Sequence, residues 1–171
     1  MVAITLSLPV VQTKIARYAT DSLREDFNAN ITVGKVAINI FGGVKLKDVL
    51  ILDHHKKVMI ASEIITTDIL SFKRLMDGDL IFGDLRLTGL IFNLKTYKNE
   101  DENNINKFVK LFETGKPSKS KKHFLLTARN AYISKGFFSV IDENKNTPKF
   151  LEFTKLNAYI SDFKLYGPDV N

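Results

Sequence analysis

Hydrophobic and polar residues alternate with a period of two along most of the chain, most clearly over residues 78–98. The apolar positions of this stretch are Leu80, Phe82, Leu85, Leu87, Leu90, Phe92 and Leu94. The alternation skips one residue at Gly83-Asp84 and again at Thr88-Gly89. A β-bulge or tight turn at each point would keep one face apolar. The stretch therefore predicts bent antiparallel β-structure with one hydrophobic face.

A short pattern recurs within these strands: apolar-x-apolar-x-Asp/Gly-apolar-x-apolar. It occupies residues 44–51, 85–92 and 158–165, and a looser copy starting at Ala131 carries one extra residue before Gly136. Repeats of roughly 35–40 residues are typical of stacked β-units that cannot bury an apolar face alone. We therefore expect the chain to be a piece of a longer repetitive protein.

The other segments divide the chain into predicted units. Residues 1–11 form an uncharged apolar run, interpreted as the end of a membrane anchor or as a core helix. Residues 12–27 predict an amphipathic helix, whose Lys14 and Arg17 would lie at a membrane surface or simply in solvent. Residues 31–98 predict a first β-segment with a Gly42-Gly43 hairpin. A short helix and a lysine-rich linker follow over residues 99–123, and a further β-segment over residues 124–171.

The composition of the chain is compatible with several functions and does not distinguish among them. The 171 residues carry a formal charge of +6, are 44% hydrophobic and include no cysteine. The positive charge permits contact with the phosphates of lipid or nucleic acid. The absence of cysteine is compatible with either a periplasmic or a cytosolic chain.

Candidate catalytic and metal-binding chemistry is sparse. The sequence has no glycine-rich phosphate loop, no Gly-x-Ser-x-Gly motif and no histidine-glutamate zinc motif, so we predict neither an enzyme nor a cofactor. Adjacent His54 and His55 suggest a metal site, but neighbouring residues of a strand point to opposite faces, and the third histidine, His123, is remote in sequence. The sequence alone therefore predicts no metal.

The run LPVVQTKIARYATDSLREDFNANITVGKVAINIFGGVKLKDVLILD resembles the start of AsmA-like and TamB-like proteins of Gram-negative envelopes. The matching positions are Pro9, Gln12, Val44, Leu46, Asp48, Val49, Ile51 and Asp53. Residues 78–82, 85–89 and 104–108 are similar to the next segments of that family's sequences. The resemblance covers nearly the whole chain, without most of the family's membrane helix or its large C-terminal part.

The resemblance implies a curled antiparallel sheet forming an open hydrophobic groove, the β-taco, anchored in the inner membrane and crossing the periplasm. It also implies transport of phospholipid acyl chains and support of outer-membrane biogenesis. The partner would be a TamA-like outer-membrane β-barrel assembly protein, bound through a region outside this chain. The residues that would line the groove are Val44, Leu46, Val49, Ile51, Leu85, Leu87, Leu90, Phe92, Ile160, Phe163 and Leu165.

Three alternatives stay open on the residues alone. The apolar face can be a dry core. The sheet edge can instead accept a strand of a nascent outer-membrane protein, which would make the chain a scaffold or chaperone. Nucleic-acid binding rests on the basic charge only and is not predicted. A register slip of one residue would exchange the two sheet faces, so the assignment of the lining residues depends on the strand pairing.

Overall fold

A computed structural model describes residues 28–39, 43–68, 79–113, 125–146 and 149–166, together with Asp21. The elements are β1 (Ile31–Ile38), β2 (Gly43–Leu52), β3 (Val58–Asp68), β4 (Asp79–Thr88), β5 (Ile91–Thr96), α1 (Asn104–Glu113), β6 (Leu125–Asp142) and β7 (Lys149–Tyr166). The apolar run 1–11 and the predicted amphipathic helix with Lys14 and Arg17 lie outside the described residues, apart from Asp21. Within the described residues, no helix has the length and apolarity needed to cross a bilayer.

The seven strands form one curled sheet in the order β1-β2-β3-β4-β6-β5, with β7 paired to β6. Strands β4 and β5 act as a single bent strand, because both pair antiparallel with β3 and parallel with β6. The mainly β prediction is confirmed, and the predicted segments 31–98 and 124–171 share this sheet.

The prediction of a purely antiparallel sheet is wrong, since the sheet is mixed. The chain leaves β5 at Thr96, passes through α1 and re-enters the sheet at Leu125, beside the start of β4. A connection of this length that contains a helix is the usual link between parallel neighbours. The connection that contains the predicted short helix thus explains why β6 pairs in parallel with β4 and β5. The alternation of apolar and polar residues within the strands does not indicate this pairing.

The first residue of α1 attaches the helix to β5. The Asn104 side chain is 1% exposed and replaces a strand at the edge of β5. Its Nδ2 donates to the carbonyl oxygen of Asn93 at 2.8 Å, and its Oδ1 accepts from the amide of Lys95 at 3.0 Å. Backbone groups of β5 that lie beyond its pairing with β3 are satisfied in this way.

Two lines of backbone irregularity, which we call crease 1 and crease 2, cross the sheet. In crease 1, Asp48, Gly89 and Lys135 have φ angles of 52°, 62° and 53°. In crease 2, Asp162 has a φ of 50°, and the pairing of β4 with β6 passes from Phe82↔Ala128 to Asp84↔Asn130 without a partner for Gly83. The skips in the alternation at residues 83–84 and 88–89 therefore coincide with the two creases.

The sequence repeat marks these creases. Its Asp/Gly position is Asp48, Gly89 and Asp162 in the three copies, and all three residues have positive φ. In the looser copy the positive φ falls on Lys135, immediately before Gly136. One residue in this conformation interrupts the strict alternation of the strand, so apolar residues before and after it can face the same side. The copies are strands of one sheet, and the Asp/Gly residue of the motif lies in a crease that neighbouring strands share without a change of register.

Candidate functional site

Apolar residues of neighbouring strands align in rows across one side of the sheet, which we call the apolar face. One complete row consists of Ile31, Ile51, Ile60, Phe92, Phe138 and Phe153, each paired with the next. A second consists of Val36, Leu46, Ile65, Leu87, Ile133 and Ala158. Shorter rows are Leu85, Ala131 and Ile160, and Phe82, Ala128 and Phe163. Register thus brings predicted groove residues from distant parts of the sequence side by side.

Side-chain contacts and burial support this assignment of the face. The rings of Phe92 and Phe138 stack with centroids 5.6 Å apart, and Phe153 continues the line 6.3 Å from Phe138. In β2, Lys45 and Lys47 are exposed while the apolar residues between and after them are not. Crease 1 therefore keeps the apolar residues of both halves of β2 on one side.

Between crease 1 and crease 2, the opposite side of β4, β6 and β7 is polar. The guanidinium of Arg86 lies 5.2 Å from the ring centroid of Tyr132, which contacts the Tyr159 ring at 5.1 Å. Asn130 donates to Asp84 at 2.8 Å and accepts from the Tyr159 hydroxyl at 2.9 Å. On this side, aromatic, amide and charged side chains of neighbouring strands contact and hydrogen-bond one another. The two faces of this part of the sheet thus differ sharply in chemistry.

Most side chains of the apolar face are only partly covered by the described residues. Among the predicted groove residues, Val49 is buried at 8% exposure, while Ile160 is 40% exposed. The others with described side chains are half-buried, and the side chain of Leu165 is outside the described part of the protein. Near the β7 edge, Phe153 is 47% and Leu151 is 49% exposed. A dry core would bury large apolar side chains more completely.

Sequence reasoning missed several members of the apolar face, namely Ile60, Ile65, Ile133, Phe138 and Phe153. All lie in stretches with visible alternation, but alternation alone does not say which strands are neighbours. The pairing of β6 with β4 and β5 supplied that information.

A cluster of ionisable groups, the His-Glu cluster, lies in the loops at one end of the strands. Nε2 of His54 lies 2.9 Å from Glu100 Oε2, and Nε2 of His55 lies 2.8 Å from Glu100 Oε1. The expectation that neighbouring histidines diverge does not apply, because residues 53–57 form the turn between β2 and β3. Sequence reasoning missed Glu100, which lies 45 positions from His55. Hydrogen bonds from His55, Lys107 and His54 lower the pKa of Glu100 to about 2, against the opposing effect of desolvation.

Asp53 holds this turn in place. Its side chain is buried, and Oδ1 accepts from the backbone amides of His55 and Lys57, both at 2.9 Å. Oδ2 accepts from the Tyr97 hydroxyl at 2.6 Å and from Asn104 at 3.4 Å. Burial acts to raise the pKa of Asp53, but these hydrogen bonds outweigh it and lower the pKa. Burial and the Asp53 carboxylate raise the pKa of Tyr97, which therefore remains a hydrogen-bond donor.

Comparison of the chain with protein-family models, with curated proteins and with solved structures finds no match in any of the three.

Proposed function

We propose that the apolar face binds phospholipid acyl chains and forms part of a groove along which lipid moves between two membranes. The observation that supports this most directly is the row of Phe92, Phe138 and Phe153, which is aligned across three strands and only partly covered by described residues. Each methylene moved from water to such a face contributes about 0.8 kcal/mol. Lipid would thus be held without any polar recognition or catalysis.

The proposal includes the wider role that the sequence resemblance implies. In this reading the chain belongs to an inner-membrane-anchored protein of the AsmA-like and TamB-like class, and residues 1–27 anchor it and contact the membrane surface. Movement of acyl chains needs a continuous apolar path, and creases 1 and 2 support one. They allow apolar residues to stay on one side of strands as long as β6 and β7, which have 18 residues each.

Site-specific photo-crosslinking in Gram-negative cells tests the proposal. A photoreactive phenylalanine analogue replaces Phe92 on the apolar face or, as the matched control, Arg86 on the polar face. Phospholipid captured at Phe92 and not at Arg86 is the expected result. Equal capture at both positions, or none at Phe92 in folded protein, would contradict lipid binding at this face.

A second candidate function is acceptance of a partner strand at the edge of β7. Within the described residues, β7 pairs with β6 only and leaves its other edge open over 18 residues. Its exposed apolar side chains include Phe150, Leu151 and Tyr159. An open edge of this kind binds extended peptides through backbone hydrogen bonds. Proline substitutions along β7 would damage this function, whereas a charge on the apolar face would leave it intact.

A further inference from the structure

We propose that His54, His55 and Glu100 form a binding site for a divalent transition-metal ion of the zinc type. Two imidazole nitrogens and a carboxylate oxygen are a ligand set that Zn²⁺ accepts, with water completing four-fold coordination. The candidate ligand atoms all lie within 4.8 Å of one another. This site is independent of lipid binding at the apolar face.

The distances are close to those that a metal ion requires. A tetrahedral zinc ion with bonds of about 2.0–2.1 Å holds its ligand atoms about 3.3 Å apart. The Nε2 atoms of His54 and His55 lie 2.9 and 2.8 Å from the two oxygens of Glu100. Small rotations of the side chains would open this cluster enough for an ion. The side chains of His54 and His55 are 30% and 44% exposed, so solvent has access to them.

The surroundings hold the ligands in place before any ion binds. The Tyr97 ring lies against both imidazoles, with centroids 3.9 Å from His55 and 5.5 Å from His54. The buried Asp53 carboxylate binds the hydroxyl of Tyr97 and the backbone amide of His55. On the other side, Asn144 donates to the Glu100 carbonyl oxygen at 2.7 Å. These contacts restrain the two imidazole rings and the backbone on both sides of the cluster.

Lys107 opposes metal binding, since its Nζ lies 2.9 Å from Glu100 Oε2. Its positive charge competes with a cation for the same carboxylate oxygen. The ion would replace this pairing and join the turn between β2 and β3 to the loop before α1. Removing the Lys107 charge should therefore strengthen metal binding.

Calorimetric titration of the chelator-treated whole chain with Zn²⁺ tests the site. We expect one saturable site, weakened at least about tenfold by His54→Ala, His55→Ala or Glu100→Gln. His123→Ala, the matched histidine control outside the described residues, should leave the affinity unchanged, and Lys107→Met should raise it. Wild-type affinity in His54→Ala and His55→Ala, or no binding by the wild type, would overturn the proposal.

A measurement on the unmodified protein covers the case in which a variant fails to fold. Nuclear magnetic resonance of the imidazole nitrogens should show Zn²⁺-dependent shifts of Nε2 in His54 and His55, and none in His123. Shifts confined to His123, or absent from both adjacent histidines, would contradict the site directly.

Discussion

Gly89 and Lys135 occupy matching positions on neighbouring parallel strands, and both have a positive φ, 62° and 53°. The pairs on either side of them, Thr88↔Ser134 and Ile91↔Phe137, keep the same register. The two strands therefore bend together without losing their alignment. Both strands share crease 1. This explains why the alternation of apolar and polar residues skips one residue at matching positions, Gly89 in one strand and Lys135 in the other.

Glycine and lysine differ in how much this backbone conformation costs, which gives the first prediction. A left-handed conformation costs an L-residue about 1–2 kcal/mol relative to glycine. Gly89→Ala should lower the free energy of unfolding by about this amount, and its Cβ would also meet the Glu63 side chain at 2.6 Å. Lys135→Gly should raise the free energy of unfolding by up to about 1 kcal/mol. Urea unfolding followed by circular dichroism measures both changes.

Lys47→Gly serves as the control, because Lys47 lies in a regularly paired part of β2. There glycine should destabilise the protein by about 0.5–1 kcal/mol. If Lys135→Gly were as destabilising as Lys47→Gly, crease 1 would not store the backbone strain that we assign to it.

Much of the bending of the sheet could be predicted from the sequence, because the creases coincide with skipped residues in the alternation of apolar and polar positions. The skip at Gly89 and the recurring Asp48 position both correspond to residues of positive φ. Strand order could not be predicted in the same way. The parallel partnership of β4 with β6 depends on where the chain returns after α1, and no local pattern records that position. The contact between Glu100 and His54 could not be predicted for the same reason, because the two residues lie in separate loops.

Asp53 gives the second prediction, which concerns stability. Asp53→Ala would leave the backbone amides of His55 and Lys57 and the hydroxyl of Tyr97 without their acceptor. Because unsatisfied buried donors cost about 1–3 kcal/mol, we expect a loss of at least about 2 kcal/mol in the free energy of unfolding. Asp101→Ala removes an exposed carboxylate and should change stability by less than about 0.5 kcal/mol. Equal effects of the two substitutions would show that the Asp53 network does not stabilise the fold.

The third prediction concerns pH. The ammonium of Lys95 lies 2.6 Å from Glu143 Oε1 and, with the Lys98 amide, lowers the pKa of Glu143. Because this pKa is lower in the folded than in the unfolded chain, Glu143 stabilises the fold above the ordinary glutamate pKa of about 4.3. That contribution is lost as the pH falls through the folded-state pKa. Glu143→Gln should therefore lower the urea midpoint at pH 7, and the difference from wild type should disappear in acid.

Lys95→Met provides the matched test of the cause. It should lower the midpoint at pH 7, and adding Glu143→Gln to it should cost less than the same change costs in the wild type. If the two substitutions changed the urea midpoint additively, a group other than Lys95 would be the cause of the lowered pKa of Glu143.

The fourth prediction separates lipid carriage from strand acceptance. Phe153 lies on the apolar face and is 47% exposed, so a charge there should be tolerated by the fold. Phe153→Asp would place a carboxylate beside the rings of Phe138 and Phe92, where a bound acyl chain would strip water from the charge. We expect at least about a tenfold loss of phospholipid in the photo-crosslinking assay at Phe92, since an ion is far costlier than a methylene in an apolar site.

Thr154→Asp is the control, because the next residue of a strand points to the other side and Thr154 is already exposed. It adds the same charge to the same strand and should leave lipid capture unchanged. If Phe153→Asp keeps wild-type lipid capture while proline substitutions in β7 abolish outer-membrane protein assembly, the open edge of β7 is the functional surface. Loss of lipid with Phe153→Asp alone would instead require acyl chains to lie against the phenylalanine row, because the substitution leaves the β7 backbone edge unchanged.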